Sequence, residues 1–292
     1  MKKVLLTGIT GFVGGYLHQY LLERGYIVKG TSTTQSSETI FKCHLDNKAD
    51  IQAVIEAYQP NIIIHTAALS SVTRGQTLDY YIHNVVATEN LIEAANQLPE
   101  LERFIFFSTA GVYGNQNGIE VLHEQLAPNP ISHYGMSKFV CEKMCFSFLT
   151  NPEICTVIRP FNIIGEGHHP EFIVPKLVSH FKENKKEVKL GNINTFRDYI
   201  DIYSTCEIIV DVLESQTAKG KTLNLSTGIG HSVADLIALL EDIYGYKIEV
   251  ITDSKFVRKN EVWRLVGDTT RLGEAVNKPL PIVDLRKVLS EM

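Results

Sequence analysis

The stretch Val4-Leu5-Leu6-Thr7-Gly8-Ile9-Thr10-Gly11-Phe12-Val13-Gly14-Gly15 constrains this chain more than any other. Val4, Leu5 and Leu6 form a continuous apolar run, the pattern of a strand covered on both faces. Gly8, Gly11 and Gly14 then follow at steps of three. The first permits a tight turn, the second lets a ligand approach the backbone, and the third lets helix and strand pack closely. From Phe12 onward Leu17, Tyr20, Leu21 and Leu22 give an amphipathic helix, whose free N–H groups and positive dipole end face the loop. A pyrophosphate suits that position. Gly8, Thr10, Gly11, Phe12, Val13 and Gly14 are therefore the first candidate binding residues. A glycine turn with no ligand is the competing reading, and the rest of the chain has to decide between them.

Strands and helices alternate through the first half. Tyr26–Thr31 reads as a strand, Asp50–Tyr58 as a helix and Asn61–Thr66 as a buried strand. Leu78–Gln97 reads as one long amphipathic helix, followed by the strand Phe104–Ser108 and a helix over Ser132–Leu149 that Asn151-Pro152 stops. Thr156–Ile164 is a further strand. This order predicts an α/β fold, a doubly wound parallel sheet with helices on both faces and the ligand at the strand C-termini. The second half is less regular. Phe172–Lys185 reads as a helix, Asn192–Ile202 as irregular chain, and a helix runs to about Glu214. Thr222–Ser226 looks like a strand returning to the sheet; Val233–Tyr244, Lys247–Ile251 and Asp284–Glu291 read as helix, strand and helix. The expected division is a dinucleotide domain over 1–164 with a returning segment near 193–227. A smaller substrate lobe would comprise 165–192 and 228–292.

A chain of 292 residues has room for such a core. Its net charge of −5 leaves no basic footprint for nucleic acid. No apolar run reaches membrane-spanning length, and Met1-Lys2-Lys3 leads straight into a strand without a signal-peptide core, so a cytoplasmic location is expected. Cys43, Cys141, Cys145, Cys155 and Cys206 show no CxxC spacing and read as reduced, mostly buried thiols. Cys141 and Cys145 lie four apart on a helix, but no His or Cys pair matches them at ligand spacing, so no metal is expected.

Two further constellations carry chemistry. In His133-Tyr134-Gly135-Met136-Ser137-Lys138, Tyr134 and Lys138 lie four apart and share a helix face. A free phenol titrates near pH 10, and a neighbouring ammonium would stabilise the phenolate and lower that value. Such a pair can exchange a proton with a sugar or alcohol oxygen. Ser108-Thr109 stands at the end of a central strand, where Thr109 can hydrogen-bond a substrate oxygen beside Tyr134. The competing reading is that both hydroxyls only cap the strand end.

Taken together these residues resemble the extended short-chain dehydrogenase/reductase family of nucleotide-sugar epimerases, dehydratases and reductases. The resemblance is carried by Thr7-Gly8-Ile9-Thr10-Gly11-Phe12-Val13-Gly14, His65-Thr66-Ala67-Ala68, Asn84, Ser108-Thr109, Tyr134-x-x-x-Lys138 and Arg159-Pro160-Phe161-Asn162. It implies that Tyr134 is the acid/base, that Thr109 orients the substrate, and that Lys138 binds the nicotinamide ribose and tunes Tyr134. It also implies cofactor contacts at Ser32, Leu45, Ala67, Ala68, Asn84 and Phe161, and substrate contacts at Ser108 and Asn162. Arg159–Gly167, Arg197-Asp198-Tyr199-Ile200-Asp201 and Arg258-x-x-Glu261-x-x-Arg264 look most like the reductases of nucleoside-diphosphate 4-keto-6-deoxyhexoses, GDP-4-keto-6-deoxymannose reductases among them. Arginine forks suit a diphosphate, so Arg197 and Arg258, with Glu261, are the expected substrate ligands. Base recognition falls to the lobe around Phe172–Lys189. The family also implies a homodimer through a four-helix bundle of Leu78–Gln97 and Ser132–Leu149.

Departures from the family pattern narrow the reaction. The dehydratases place an Asp-Glu pair after the catalytic threonine; here those positions are Ala110 and Gly111, neither able to move a proton. The adenine-contacting Leu45 follows His44 where an acid is usual. An NAD site usually has an acid about twenty residues past the glycine turn, to hold ribose hydroxyls. Lys29–Ser37 contains none, but offers Lys29, Thr31, Ser32, Thr33 and Thr34 to a 2′-phosphate, so NADPH is expected rather than NAD. The expected activity is NAD(P)H-dependent reduction of the C4 ketone of a GDP- or dTDP-linked 4-keto-6-deoxyhexose. A 4-epimerase with tightly bound NAD remains open, as does a catalytically silent protein on the same fold.

Overall fold

The computed structural model describes residues 1–70, 76–253, 256 and 261–292. In chain order the first elements are β1 (Lys3–Thr7), α1 (Phe12–Glu23), β2 (Ile27–Ser32), β3 (Ile40–Lys42), α2 (Lys48–Tyr58), β4 (Ile62–His65) and α3 (Thr77–Tyr80). A π-helical segment, Tyr81–Val86, leads into α4 (Ala87–Ala95), then β5 (Arg103–Phe107), α5 (His133–Phe148) and β6 (Cys155–Pro160). The remainder runs β7 (Asn162–Ile164), α6 (Ile173–Lys182), β8 (Glu187–Leu190), β9 (Phe196–Asp201), α7 (Ile202–Glu214), β10 (Lys221–Leu225) and β11 (Gly230–Ser232). It closes with α8 (Val233–Tyr244), β12 (Glu249–Thr252), β13 (Arg264–Leu265), α9 (Thr270–Val276) and α10 (Leu285–Glu291).

Seven strands pair in parallel in the order β10-β6-β5-β4-β1-β2-β3. The apolar run in β1 is explained by the two layers it separates. Val4 and Leu6 enter a core with α1, α7 and α9, while Leu5 points the other way into a core with α2, α4 and α5. Ile62 and Ile64 against Ile63 repeat the pattern in β4. Helices on both faces make this the doubly wound α/β fold. All five cysteines are buried and unpaired; Cys141 and Cys145 pack under the sheet in the second core. Among the described residues no helix is long and apolar enough to cross a membrane, and no group of metal-ligating side chains is assembled.

Three elements differ from the sequence reading. The expected strand Thr156–Ile164 breaks at Phe161: Pro160 has no N–H to continue the ladder, and β7 leaves the large sheet to pair with β9. The segment read as irregular contains β9, the central strand of a second sheet formed with β7, β11 and β13. Its apolar pattern is interrupted by Asp198, which is fully buried and accepts hydrogen bonds from Thr227, Gly228 and Gly267. The expected helix Leu78–Gln97 contains the π-helical turn, which presents Asn84 to the interior. The helices α6, α8 and α10 and the β8–β12 pair enclose a separate apolar core beyond the small sheet.

Candidate active site

The chain leaves β1 toward β2 and later returns to place β4 on the other side of β1, so their C-terminal ends bound a crevice. Thr7 holds its two walls together. Its Oγ1 lies 2.7 Å from His65 Nδ1 and accepts the Ala67 N–H at 3.2 Å, while Thr66 Oγ1 donates to the Thr7 carbonyl at 2.7 Å. His65 Nε2 reaches Thr88 Oγ1 at 3.1 Å. Burial, and then the charge of Lys138, push the His65 ring down to about 3, so it is neutral.

The glycine turn is shaped by contact. Gly8 has φ of +71°, and a Cβ there would stand 2.9 Å from Ala67 Cα. A Cβ on Gly14 would stand 2.1 Å from the Gly8 carbonyl oxygen. At Gly11 a Cβ would meet only the Gly8 oxygen, at 3.1 Å, so that side of the turn is open. Gly11 is also the N-cap of α1, and no side chain caps the helix. Uncapped N–H groups beside an open backbone surface fit a dinucleotide pyrophosphate. Thr10 Oγ1 ties the turn to Ser32 Oγ at 3.2 Å, and Val13 packs on the first core. The Phe12 ring turns toward the lobe and stacks on His168, which stacks in turn on Phe172.

Around this turn the candidates separate. Ala67 and Ala68 lie half-buried on the loop after β4, Ala67 against Gly8. Ser32 is buried; its Oγ accepts from the Thr34 and Gln35 amides and shapes the end of β2, leaving Thr33, Thr34 and Gln35 exposed there. Lys29 is not at that end. Strand alternation turns it to the α2 face, where Nζ sits 5.4 Å from the Phe41 ring and 5.8 Å from the Tyr58 ring. Leu45 is buried in the second core, its carbonyl accepting from Asn90 Nδ2 at 2.9 Å; His44 is exposed. Asn84 is 1 % exposed, and its amide bonds Leu69 N–H, Leu69 carbonyl and Ser137 Oγ. Asn84 thus braces the loop at Leu69 against Ser137 on α5.

Across the crevice, Thr109 follows β5 and caps a short 3-10 turn, Ala110–Val112, by accepting the Gly111 N–H at 3.0 Å. The first turn of α5 lies against this turn: a Cβ on Gly135 would come within 2.8 Å of the Gly111 oxygen. That close approach brings Tyr134 to Thr109. Burial pushes the Tyr134 phenol up to about 12, against the lowering effect of its hydrogen bonding with Thr109. The net direction is thus opposite to the lowering expected from the Tyr134–Lys138 spacing, because burial dominates. Lys138 is 1 % exposed, with Nζ 4.2 Å from the centroid of Phe106, and burial brings it down to about 8.

Ser108, expected to touch substrate, does not face the crevice. Its Oγ donates to Glu142 Oε1 at 2.5 Å, because strand alternation turns it away from Thr109. Phe161 is likewise a packing residue, its ring buried among Ala110, Val112, Tyr113, Leu122 and Leu265. Asn162 opens β7 opposite Tyr199 on β9. Arg197 is half-buried; its Nη1 donates to the Phe196 carbonyl at 2.8 Å, and its charge lowers the Tyr199 phenol that burial pushes up to about 12. Glu261 is half-buried, its carbonyl held by Asn115 Nδ2 at 2.9 Å. Arg258 lies outside the described residues. What sequence reasoning missed is the role of His65 in tying Thr7 to Thr88, Asn84 as a bracket, and Glu142, whose place four residues after Lys138 was the available signal.

Comparison with known proteins agrees with this geometry. The model of the NAD dependent epimerase/dehydratase family matches residues 4–226. GDP-6-deoxy-D-talose 4-dehydrogenase of Aggregatibacter actinomycetemcomitans is 34% identical, over 99% of this chain and 96% of its own. GDP-6-deoxy-D-mannose reductase of Pseudomonas aeruginosa is 26% identical, over 99% of this chain and 97% of its own. The crystal structure of UDP-glucose 4-epimerase from Thermotoga maritima superposes with a TM-score of 0.90 at 24% identity, covering 99% of this chain and 96% of that one.

Proposed function

Because this chain belongs to the NAD dependent epimerase/dehydratase family, the extended short-chain dehydrogenases, we propose that it reduces the C4 ketone of a GDP-linked 4-keto-6-deoxyhexose. The observation that carries this reading is the meeting of Tyr134 and Thr109 where the first turn of α5 lies against the end of β5, which sets a proton donor beside a hydroxyl able to orient the sugar oxygen. Ala110 and Gly111 offer no group for eliminating water. The names of two relatives support the substrate class, since both are GDP-6-deoxyhexose enzymes and one specifies C4.

In this reading the uncapped N-terminus of α1 and the glycine turn hold the pyrophosphate, and Ala67 and Ala68 line the dinucleotide. The bound nicotinamide supplies the hydride to C4. Thr109 orients the sugar oxygen, Tyr134 delivers the proton, and Lys138 meets the nicotinamide ribose. Asn162 and Arg197, with Arg258 and Glu261, hold the sugar nucleotide, which sits between residues 1–164 and the 165–192 and 228–292 lobe. NADPH is the preferred cofactor: the exposed end of β2 presents Thr33, Thr34 and Gln35 and no carboxylate to repel a 2′-phosphate. The protein forms a homodimer through α3, the π-helical segment, α4 and α5, on which Leu78, Val86, Met136 and Phe148 are apolar and exposed.

The test is a stopped assay of purified protein with NADPH and GDP-4-keto-6-deoxymannose. Loss of absorbance at the reduced-nicotinamide band with a new C4 hydroxyl in the product is the expected result. No oxidation of cofactor with GDP-, dTDP- or UDP-linked ketosugars would refute reduction. Interconversion of C4 epimers with retained NAD and no net oxidation would establish an epimerase in its place.

A further inference from the structure

Glu142 has no part in the chemistry described so far, yet it is 4 % exposed and fully engaged. It follows Tyr134 and Lys138 on α5 at four-residue steps, so the three lie along one side of the helix. Its Oε1 accepts from Ser108 Oγ at 2.5 Å and from Arg159 Nε at 2.9 Å, and its Oε2 accepts from Arg159 Nη2 at 2.7 Å. Ser108 is the residue before Thr109 at the end of β5, and Arg159 stands on β6. A single carboxylate therefore joins the helix that carries the phenol to the two strands beneath it. The Arg159 guanidinium also lies 4.8 Å from the Tyr113 ring centroid, and the Tyr113 hydroxyl donates to Asn224 Oδ1 on β10 at 2.7 Å. The anchorage extends to the edge of the sheet.

Besides the Lys138 ammonium on the Phe106 ring, α5 meets the sheet through Cys141, Met144 and Cys145, whose apolar contacts are non-directional. A two-pronged carboxylate–guanidinium pair is directional, since both bonds require one alignment. The helix rises about 1.5 Å per residue, so even a fractional slip carries the Tyr134 hydroxyl out of reach of Thr109. We propose that Glu142 is a positioning residue for proton transfer: by gripping Ser108 and Arg159 it sets the axial height of α5 against β5, so that Tyr134 and Thr109 meet at one oxygen. This rests on the reading of Tyr134 as the acid, not on the identity of the sugar.

Two variants separate positioning from plain stability. Ser108→Ala removes one bond of the grip and leaves the ion pair. Glu142→Leu with Arg159→Met replaces the pair by apolar side chains, an exchange that commonly preserves stability. Ser108→Ala is expected to lower kcat about tenfold with KM and cofactor Kd within about twofold of the parent. The double variant is expected to melt near the parent temperature with kcat about 100-fold down. A double variant that recovers both melting temperature and kcat overturns the proposal. If it does not fold, unchanged kcat in Ser108→Ala overturns it alone. Crystal structures of whichever variant folds give a reading independent of turnover. A Tyr134 hydroxyl displaced from Thr109 supports the proposal, and an unmoved one defeats it whatever the substrate is.

Discussion

Replacing Lys138 by methionine is expected to stabilise the folded chain at neutral pH while abolishing turnover. The ammonium is buried, and its pKa is brought from 10.5 down to about 8. That gap corresponds to roughly 3 kcal/mol of folding free energy lost to holding the charge indoors, at about 1.36 kcal/mol per pH unit. The contact of Nζ with the Phe106 ring, at 4.2 Å, returns about 1–2 kcal/mol of this and disappears in the variant. The net gain for Lys138→Met is then about 1–2 kcal/mol, or a few degrees in melting temperature at roughly 2–4 °C per kcal/mol. The sign reverses the usual expectation for deleting a charged group, and its pH dependence is specific. Below about pH 8 both folded and unfolded lysine are protonated, so the full cost is present. Between about 8 and 10.5 only the unfolded chain keeps the proton, so the parent gains stability as pH rises and the advantage of the variant fades. Thermal unfolding of both proteins at pH 7 and pH 10, without ligands, measures it. A variant that melts below the parent at pH 7, or whose advantage does not shrink by pH 10, would show that the burial argument is wrong.

Other outcomes follow from the same geometry. Tyr134→Phe should cut kcat by about 10²–10⁴-fold while cofactor affinity, measured by fluorescence titration, stays within about twofold. Gly14→Ala places a Cβ 2.1 Å from the Gly8 oxygen, so the turn must open; dinucleotide affinity should fall at least about tenfold by calorimetry with secondary structure retained. Asn84→Ala strands the Leu69 backbone groups and should cost about 1–3 kcal/mol in urea unfolding. None of the five buried thiols should react with an aromatic disulfide reagent in the native protein, and all five should react once it is unfolded.

Much of the architecture could be read from the chain because its determinants are local. The run Val4–Leu6 is apolar at every position because β1 has a core on each face, and that is visible residue by residue. The returning strand near Thr222–Ser226 was legible for the same reason, and it pairs with β6 at the sheet edge. β9 was not, because the residue that interrupts its apolar pattern, Asp198, is matched by partners from Thr227 and Gly267, far along the chain. The break at Phe161 was marked by Pro160, but the sheet to which β7 would turn was not. At the site, spacing on one helix sufficed to pick out Tyr134 and Lys138. It could not show that Ser108 and Thr109, adjacent in sequence, face opposite ways, one toward Glu142 and the other toward the phenol.

The amino-acid order by itself determined the glycine turn, the alternation that winds the sheet, and the helix face shared by phenol and lysine, because steric freedom at a glycine and the pitch of a helix depend only on near neighbours. Tertiary packing alone decided the charge states and the alignment: the phenol raised, the lysine lowered, His65 neutral, and α5 gripped at Glu142. Desolvation and ion pairing are sums over everything that closes around a group, and those surroundings come from strands and helices far apart in the chain.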